Sequence, residues 1–199
     1  MKKLLQLNMF VLTMLATSIN GMAQVIRYDK TRDGIRLVAT EETVCRSMTD
    51  RLVLAVSLVA CVDEEKNDTT YSLITHITGS TPLEVSKNAP MQIKLMDDTV
   101  IELKAELGDK EMVRDIIVVN NFVTHSYDIN PYFAVTPEQL KAIIKTGVKK
   151  IRIDLSPEMY DKEFKKDKVG SVLRMKWAAL KETLKKKGST TGDSFRDGF

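Results

Sequence analysis

Histidine and cysteine, which build many catalytic and metal sites, are nearly absent from this sequence. Its 199 residues contain two of each: His76 and His125, and Cys45 and Cys61. HExxH, CxxC and His-x-His spacings are missing, as are a G-x-S-x-G turn, a P-loop and a dinucleotide-binding glycine pattern. Zinc usually needs three or four ligands. We therefore predict no metal site, no cofactor and no catalytic residue from these motifs. We expect each histidine to have a structural role or to lie at the surface.

Long hydrophobic runs are also scarce, and the main candidate lies at the start of the chain. Two of the first three residues are lysine, residues 4–16 are mostly apolar, and Gly21 and Ala23 are small residues placed before a possible cut. This order is typical of a secretory signal peptide. We expect residues 1–23 to be removed before Gln24, or a few residues earlier, which predicts a periplasmic or secreted protein. The run is shorter than the ~20 residues of a spanning helix, so we expect no transmembrane anchor in the mature chain.

The net charge of +3 is small but unevenly divided. Residues 24–164 contain 18 bases and 23 acids, a net charge of −5, whereas residues 165–187 contain nine bases and two acids, a net charge of +7. The basic segment is either a solvated helix face or a patch for an anionic glycan, a lipid headgroup or an acidic partner. Nucleic acid is not expected, because the protein is predicted to be exported. The possible anion patch comprises Lys165, Lys166, Lys168, Arg174, Lys185, Lys186 and Lys187.

Strand patterns fill the first two thirds of the chain. Short apolar and β-branched runs separated by charged turns predict strands over residues 35–135. Residues 52–62 show almost no polar alternation, which is typical of a central strand covered on both faces, and residues 69–78 predict the strand that returns beside it. Residues 116–125 predict another strand, and residues 132–135 a short extended piece.

A hairpin is the clearest local pattern. Ile93 and Leu95 alternate with polar residues, and Ile101 and Leu103 do the same. Matching the apolar faces pairs Ile93 with Leu103 and Leu95 with Ile101. This register leaves residues 97–99 as the loop, where aspartates tolerate tight-turn geometry.

The periodicity then changes to that of helices. Thr136, Pro137 and Gln139 match an N-cap with a capping box, and Gly147 ends the short helix. Residues 148–155 predict a late strand, and a long amphipathic helix follows. The fold class is therefore α+β: a mostly antiparallel β-sheet or sandwich with a short helix, a late strand and a long C-terminal amphipathic helix.

One domain is expected, over residues 35–187. Residues 24–34 predict a polar N-terminal arm that is loosely held, and residues 188–199 a polar tail.

The two cysteines allow two alternatives. An oxidising compartment favours a disulfide between Cys45 and Cys61. A direct hairpin turning at residues 47–50 places Cys61 opposite Arg36 and separates the cysteines by about 30 Å, too far for a bridge. We favour two free core thiols, and the disulfide stays open as the alternative.

Four of the twelve aromatic residues lie around residues 126–131, predicted as a loop. They are Phe122, Tyr127, Tyr132 and Phe133. Exposed rings here predict contact with sugars or a protein partner, whereas buried rings close the core near a turn. We favour burial, because aromatic side chains usually hide most of their area.

Three segments carry a family resemblance: Thr70-Tyr-Ser-Leu, the hairpin Ile93-Lys-Leu-Met-Asp-Asp-Thr-Val-Ile-Glu-Leu, and the run from Val135-Thr-Pro-Glu-Gln-Leu to Gly147-Val-Lys-Lys-Ile-Arg-Ile. In these, the chain resembles small exported proteins of unknown function from Bacteroides-type bacteria. The resemblance covers most of the mature chain and rests on strand patterning and short helix signals. It implies export and supplies no catalytic residues.

Our main hypothesis is a non-enzymatic exported domain that binds a protein or glycan partner in the envelope, through the basic helix or the aromatic residues. The alternative is a glycan- or envelope-acting hydrolase, since glycan hydrolysis needs only two carboxylates ~5–10 Å apart. The hydrolase predicts a cleft with close acids and perturbed pKa values, whereas the binding domain predicts an exposed patch. A structural assembly protein would instead show large apolar self-contacts.

Overall fold

The computed structural model describes residues 25–45, 51–110, 112–119 and 122–186. Within them are fourteen strands and two helices. The strands are β1 (Ile26–Arg32), β2 (Ile35–Thr40), β3 (Thr43–Val44), β4 (Val53–Asp63), β5 (Asp68–Gly79), β6 (Glu84–Val85), β7 (Pro90–Leu95), β8 (Val100–Lys104), β9 (Asp109–Lys110), β10 (Met112–Val119), β11 (Phe122–Ile129), β12 (Tyr132–Ala134), β13 (Val148–Ile153) and β14 (Tyr160–Glu163). The helices are α1 (Pro137–Thr146) and α2 (Lys168–Lys185).

All strand pairs are antiparallel, which confirms the expected α+β class. The large sheet has the order β1-β2-β4-β5-β11-β10, with β3 beside β4 and β12 beside β5. A small sheet has the order β14-β13-β7-β8, and β6 pairs with β9. An isolated bridge between Ala105 and Phe133 joins the two sheets where β8 ends beside β12. Their apolar inner faces and both helices share one hydrophobic core.

Strand β4 is the centre of the large sheet, as its sequence predicts. Leu54, Val56, Leu58 and Ala60 face the core and are fully buried. On the opposite face, Ala55 and Ser57 are buried, whereas Val53, Val59 and Cys61 are half-buried. The core covers one face of β4, so the expectation of a strand covered on both faces is wrong for the other face, which belongs to the outer face of the large sheet.

Helix α1 forms where its local signals place it. The Gln139 N–H donates to Thr136 Oγ1 at 3.2 Å, and the Thr136 N–H donates to Gln139 Oε1 at 3.0 Å, which completes the predicted capping box. Gly147 follows with φ of 87°, a conformation that side-chain-bearing residues rarely adopt. The predicted short helix and its end are thus confirmed.

The hairpin of β7 and β8 exists, but its predicted register is wrong by two residues. Ile93 pairs with Ile101, and Met91 pairs with Leu103. The three-residue turn lies one position earlier than expected, over residues 96–98, where Asp98 adopts a positive φ of 68° and the Leu95 N–H donates to Thr99 O. A shift of two residues keeps every side chain on its face, so the apolar pattern alone could not distinguish the two registers.

The single strand predicted over residues 116–125 is instead a hairpin. Strands β10 and β11 run antiparallel, and Val119 pairs with Phe122. Two asparagines, Asn120 and Asn121, separate them in the sequence. Two asparagines between β-branched runs are typical of a two-residue hairpin, so the sequence contained a signal for this hairpin. Strand β11 also extends to Ile129, so most of residues 126–131 are strand rather than the predicted loop.

The polar arm is not loose where the structure describes it. Residues 26–32 form β1, an edge strand that pairs with β2 from the Ile26–Thr40 pair to the Arg32–Ile35 pair. Its polar residues reflect one exposed sheet edge, a position that favours charged side chains. The predicted boundary between arm and domain at residues 34 and 35 therefore falls inside a hairpin.

Both cysteines are free thiols on opposite faces of the large sheet. Cys45 is buried and its N–H donates to Leu54 O, whereas Cys61 pairs with Leu37 rather than with Arg36 as predicted. The register already differs at β3, where Val44 pairs with Ala55, and it shifts by one residue between β3 and β2; the predicted turn, residues 47–50, lies outside the described residues. The seven positions from Leu54 to Cys61 span about 23 Å, so the alternative of a disulfide does not fit this sheet.

Candidate functional site

Helix α2 is anchored at its start by a carboxylate that bridges three segments. Asp167 Oδ1 accepts from the Val148 N–H at 2.9 Å, and Oδ2 accepts from Arg174 Nη2 at 3.1 Å. Gly147 and Gly170 enclose this carboxylate, and a Cβ atom built on Gly147 would lie 2.7 Å from it. The glycines therefore provide the space that lets Asp167 join α2 to the beginning of β13.

The end of α2 is anchored by a buried arginine from β2. Two Arg36 nitrogens donate to the Asp29 carboxylate, each at 2.9 Å. The same guanidinium donates to Lys186 O at 2.8 Å and to Thr183 O at 3.1 Å, two carbonyls of the last turn. A cation at this position complements the helix dipole. The hydrogen bond with Asp29 raises the pKa of Arg36 above its ordinary value, and β1 is thereby tied to the helix end.

A lysine also lies on the buried side of α2. Lys176 is 1% exposed, and its Nζ donates to Glu41 O. Burial lowers the pKa of Lys176 below its ordinary value. Burial also raises the pKa of the Cys45 thiol to about 11, which makes the thiolate scarce at neutral pH. This side of the helix carries polar groups that hold the fold together.

The opposite side of α2 is exposed and basic. Lys168, Arg174, Lys181 and Lys185 are exposed along it, with Glu182 as the exposed acid. The sequence prediction placed the whole basic segment in one patch, but the structure separates its ends. Lys165 and Lys166 precede the helix, Lys186 follows it, and the first and last turns lie about 26 Å apart at ~1.5 Å per residue. Lys187 lies outside the described residues.

The members of this predicted patch differ in their partners. Arg174 pairs with Asp167 and donates to Ile144 O at 3.0 Å, and Lys186 pairs with Glu182 at 3.7 Å. Four exposed lysines form no ion pair within the part of the chain that the structure describes: Lys165, Lys166, Lys168 and Lys185. Their charge therefore faces solvent rather than the acidic body of the domain.

Neighbouring residues extend and divide this surface. Helix α1, which Arg174 contacts through Ile144 O, adds two exposed lysines, Lys141 and Lys145. Between the bases of α2 lies Met175, which is 49% exposed. We call the exposed side of the two helices, with Lys165 and Lys166, the basic helical face. It combines positive charge with an exposed apolar side chain.

The predicted aromatic contact loop is not assembled. Tyr132 and Phe133 alternate on β12, so Tyr132 is 43% exposed on the outer face of the large sheet while Phe133 is fully buried in the core. Tyr127 is half-buried on β11. Phe122 begins β11, and its side chain lies outside the described residues. Burial, the favoured expectation, is confirmed for Phe133 and wrong for Tyr132.

The histidines are not brought together. His125 pairs with Ile116 across the β10–β11 hairpin, whereas His76 lies between two carboxylates on the outer face. Its Nδ1 is 3.3 Å from Glu42 Oε2, and its Nε2 is 3.3 Å from Asp128 Oδ2. Because the two ring nitrogens point apart, these carboxylates do not converge on one point. Within the described ranges, no group of three or more His, Cys, Asp or Glu side chains is arranged to hold a metal ion.

Two open recesses bear on the hydrolase alternative. One, of about 240 Å³, contains Glu158 and Asp161. Burial favours the neutral Asp161 carboxyl, but hydrogen bonds from Lys150 and Arg152 outweigh it and lower the pKa. The second recess, of about 300 Å³, contains a single carboxylate, Glu106. The first recess thus contains two carboxylates, but the lowered pKa of Asp161 is the opposite of the raised pKa that a general acid needs, and the second recess contains no pair.

Sequence reasoning missed the residues that join α2 to the sheet. Asp29 was assigned to the loosely held polar arm, Arg36 was considered only as the residue opposite Cys61, and Lys176 was counted among the nine bases of residues 165–187 without a role of its own. One signal was available for Lys176, since it lies one position before Trp177 and three after Leu173 on the apolar side of the helix. Nothing local shows that Arg36 reaches the helix, because the carbonyls of Thr183 and Lys186 that accept from it are about 150 residues away in the sequence.

No helix among the residues that the structure describes is both long and apolar enough to cross a membrane. Comparisons with known proteins find no matching family model, no similar curated protein and no similar solved structure.

Proposed function

We propose that this protein is an exported, non-enzymatic binding domain, and that its basic helical face binds an acidic surface of a protein partner in the envelope. The observation that carries the proposal is the orientation of the α2 charges. Lys165, Lys166, Lys168 and Lys185 point to solvent, although the rest of the domain has an excess of acids that could have paired with them. Charges that a fold leaves unpaired remain available to a partner.

Met175 favours a protein over a glycan as the partner. Its side chain is 49% exposed among the α2 bases, and methionine is common at surfaces that adapt to apolar groups of a partner. A polyanionic glycan offers charge without a matching apolar group. An acidic peptide or domain surface that carries an apolar side chain satisfies both features.

The test uses two labelled peptides of equal negative charge, one Glu-rich with leucines and one Glu-rich with serines, together with polygalacturonate as the glycan probe. Fluorescence anisotropy measures binding of the peptides, and competition measures the glycan. We expect the leucine peptide to bind most tightly, and we expect added salt to weaken its binding because the lysines are exposed. The M175A variant should bind the leucine peptide several-fold less tightly, without a matching loss for the serine peptide.

Two matched pairs of charge reversals distinguish binding at the basic helical face from a general effect of the protein's net charge. The K165E/K166E variant should weaken binding at least ~10-fold, because each reversal places like charges together. The control K87E/K104E changes the net charge equally at exposed lysines elsewhere and should change binding less than ~2-fold. Equal losses for both variants would refute the basic helical face as the site. Tighter binding of polygalacturonate than of either peptide would refute a protein partner.

A further inference from the structure

The outer face of the large sheet, opposite α2, concentrates exposed apolar side chains. Ten large hydrophobic residues are more than a third exposed in the described part of the chain, and five of them lie on this face. The other five are spread over turns, β8 and α2. The five members of the outer face are Tyr28, Ile35, Leu37, Val44 and Tyr132.

The sheet register places these residues in one continuous surface. Leu37 pairs with Cys61, Val44 with Ala55, and Tyr132 with Ile74, so all point away from the core-facing side chains of β4 and β5. Small or apolar residues lie between most of them and make the surface flat: Ala39, Ser57, Val59, Ser72 and Ala134. His76, with Glu42 and Asp128, borders this surface beside Ala55. An exposed apolar patch of this kind is uncommon on a monomer and is typical of an interface.

We infer that this outer face is a self-association surface, on which a second copy of the chain packs back to back with its sheet aligned. Five strands at ~4.8 Å spacing and about eight residues at ~3.3 Å give about 600 Å² per copy. Two copies then bury about 1,200 Å², above the ~1,000 Å² expected of a biological interface. Aligned packing of two sheet faces is a common arrangement of β-structures.

Charge complementarity specifies the second copy and its orientation. Lys30 lies on the β1 edge of this face, and Glu106, which accepts from Ser72 Oγ at 3.3 Å, lies at the β12 edge. Lys30 is in the row of Leu37 and Cys61, one row from Ser72, so both charges lie at similar heights along the strands. A two-fold axis parallel to the strands brings β1 of one copy over β12 of the other. Each Lys30 then faces the Glu106 of the other copy.

Back-to-back pairing also affects the basic helical face, although the self-association does not depend on that face. Helix α2 packs on the core side of the large sheet, so back-to-back pairing leaves both copies of α2 exposed. The pair presents two basic helical faces that point in opposite directions. A partner with repeated acidic sites could then be bound twice, which raises the effective affinity without new contacts.

Sedimentation velocity of the purified protein at about 1–100 µM tests the association, and we expect a dimer at the upper concentrations. Val44 and Val100 provide a matched pair, because both are strand valines, 58% and 56% exposed, on different sheets. The V44K variant should raise the dimer dissociation constant at least ~10-fold, and V100K less than ~2-fold. Thermal unfolding of both variants checks that each is folded. A monomeric wild-type protein, or equal effects of V44K and V100K, would overturn the inference.

A charge exchange tests the orientation. K30E and E106K should each weaken the dimer several-fold, because each places like charges opposite one another. The double variant K30E/E106K should restore the wild-type dissociation constant to within ~2-fold. Lys30 on β1 and Glu106 at the β12 edge lie about four strand spacings, or about 19 Å, apart within one copy, so restoration can only arise between copies. Additive losses in the double variant would exclude this two-fold arrangement.

Discussion

Positively charged side chains lie on both sides of α2, but their roles differ between the two sides. On the buried side, Arg36 and Lys176 each have a defined acceptor, Asp29 with two helix carbonyls for one and Glu41 O for the other. On the exposed side, lysines such as Lys168 point to solvent. Buried charges must be satisfied inside the fold because their desolvation is costly, whereas exposed charges cost little and remain available.

The comparison shows why net charge alone describes this helix poorly. Nine bases within residues 165–187 suggested a single patch. One of these bases is part of the core and two are paired on the surface. The other described bases extend from the segment before α2 to its last turn, along a helix about 26 Å long. Only the exposed part bears on binding, and the buried part bears on stability. Three substitutions separate these contributions.

Removing the buried arginine should give the largest effect. The R36A variant leaves the Asp29 carboxylate and two carbonyls at the end of α2 without their donor. We expect the free energy of unfolding to fall by about 3 kcal/mol, as for other broken buried ion pairs. Chemical denaturation with a two-state fit measures this change.

Arg152 supplies the matched control, because it is also a strand arginine with an aspartate partner. It donates twice to Asp161 Oδ2, but its side chain is 45% exposed. We expect R152A to cost less than about 1 kcal/mol, since exposed ion pairs contribute little. Equal losses for R36A and R152A would contradict the assigned difference between buried and exposed bases.

Those residues also show where sequence analysis stops. Thr136, Gln139 and Gly147 determine the start and the end of α1 from within its own segment of the chain, so the sequence was sufficient to predict it. Arg36 acts on carbonyls near residue 185, and no local pattern encodes that contact. The α+β class followed from periodicity, whereas strand order and the joining of β1 to α2 depend on packing between distant segments.

The sequence predicted the face of the sheet on which a strand side chain lies better than it predicted the pairing register of the strands. The alternation in β7 and β8 placed Ile93 on the correct face, but only the left-handed conformation of Asp98 selects the pairing with Ile101. For the candidate site, the sequence identified most of the exposed bases. It could not show which of Tyr132 and Phe133 is buried, because burial depends on which side another layer covers.

The next largest effect is expected at Gly170, near the start of α2, where replacing glycine with alanine should destabilise the protein rather than stabilise it. In an exposed helix interior, replacing glycine with alanine stabilises by about 1 kcal/mol. At Gly170 a new Cβ would collide with the Asp167 carboxylate, which Val148 and Arg174 hold in place. We therefore expect G170A to destabilise by about 1–2 kcal/mol, measured by chemical denaturation.

A double-mutant cycle with D167A checks the cause. Once the carboxylate is removed, G170A should become stabilising, because only the helix preference of alanine remains. The same destabilisation by G170A with and without Asp167 would show that another contact is responsible. This result would remove Asp167 as the feature that requires the glycine.

The smallest expected change in stability is that of the K176M variant, and its size depends on pH. Because burial lowers the folded pKa of Lys176, the unfolded chain binds more protons in the window below its ordinary value of 10.5. The wild-type free energy of unfolding should therefore rise with pH through that window. The K176M variant lacks this penalty and keeps the apolar stem, so it should be more stable by about 1 kcal/mol at pH 7. Its advantage should shrink as the pH approaches 10.5.

Lys181 is the control for K176M, because it is exposed on the same helix with its Nζ 5.4 Å from the centre of the Trp177 ring. We expect K181M to change stability by less than about 0.5 kcal/mol, since surface substitutions usually have small effects. If K176M instead loses stability at pH 7, the hydrogen bond from Nζ to Glu41 O outweighs the cost of burial. Lys176 would then be a required tie between α2 and the β2–β3 segment, like Arg36 at the helix end.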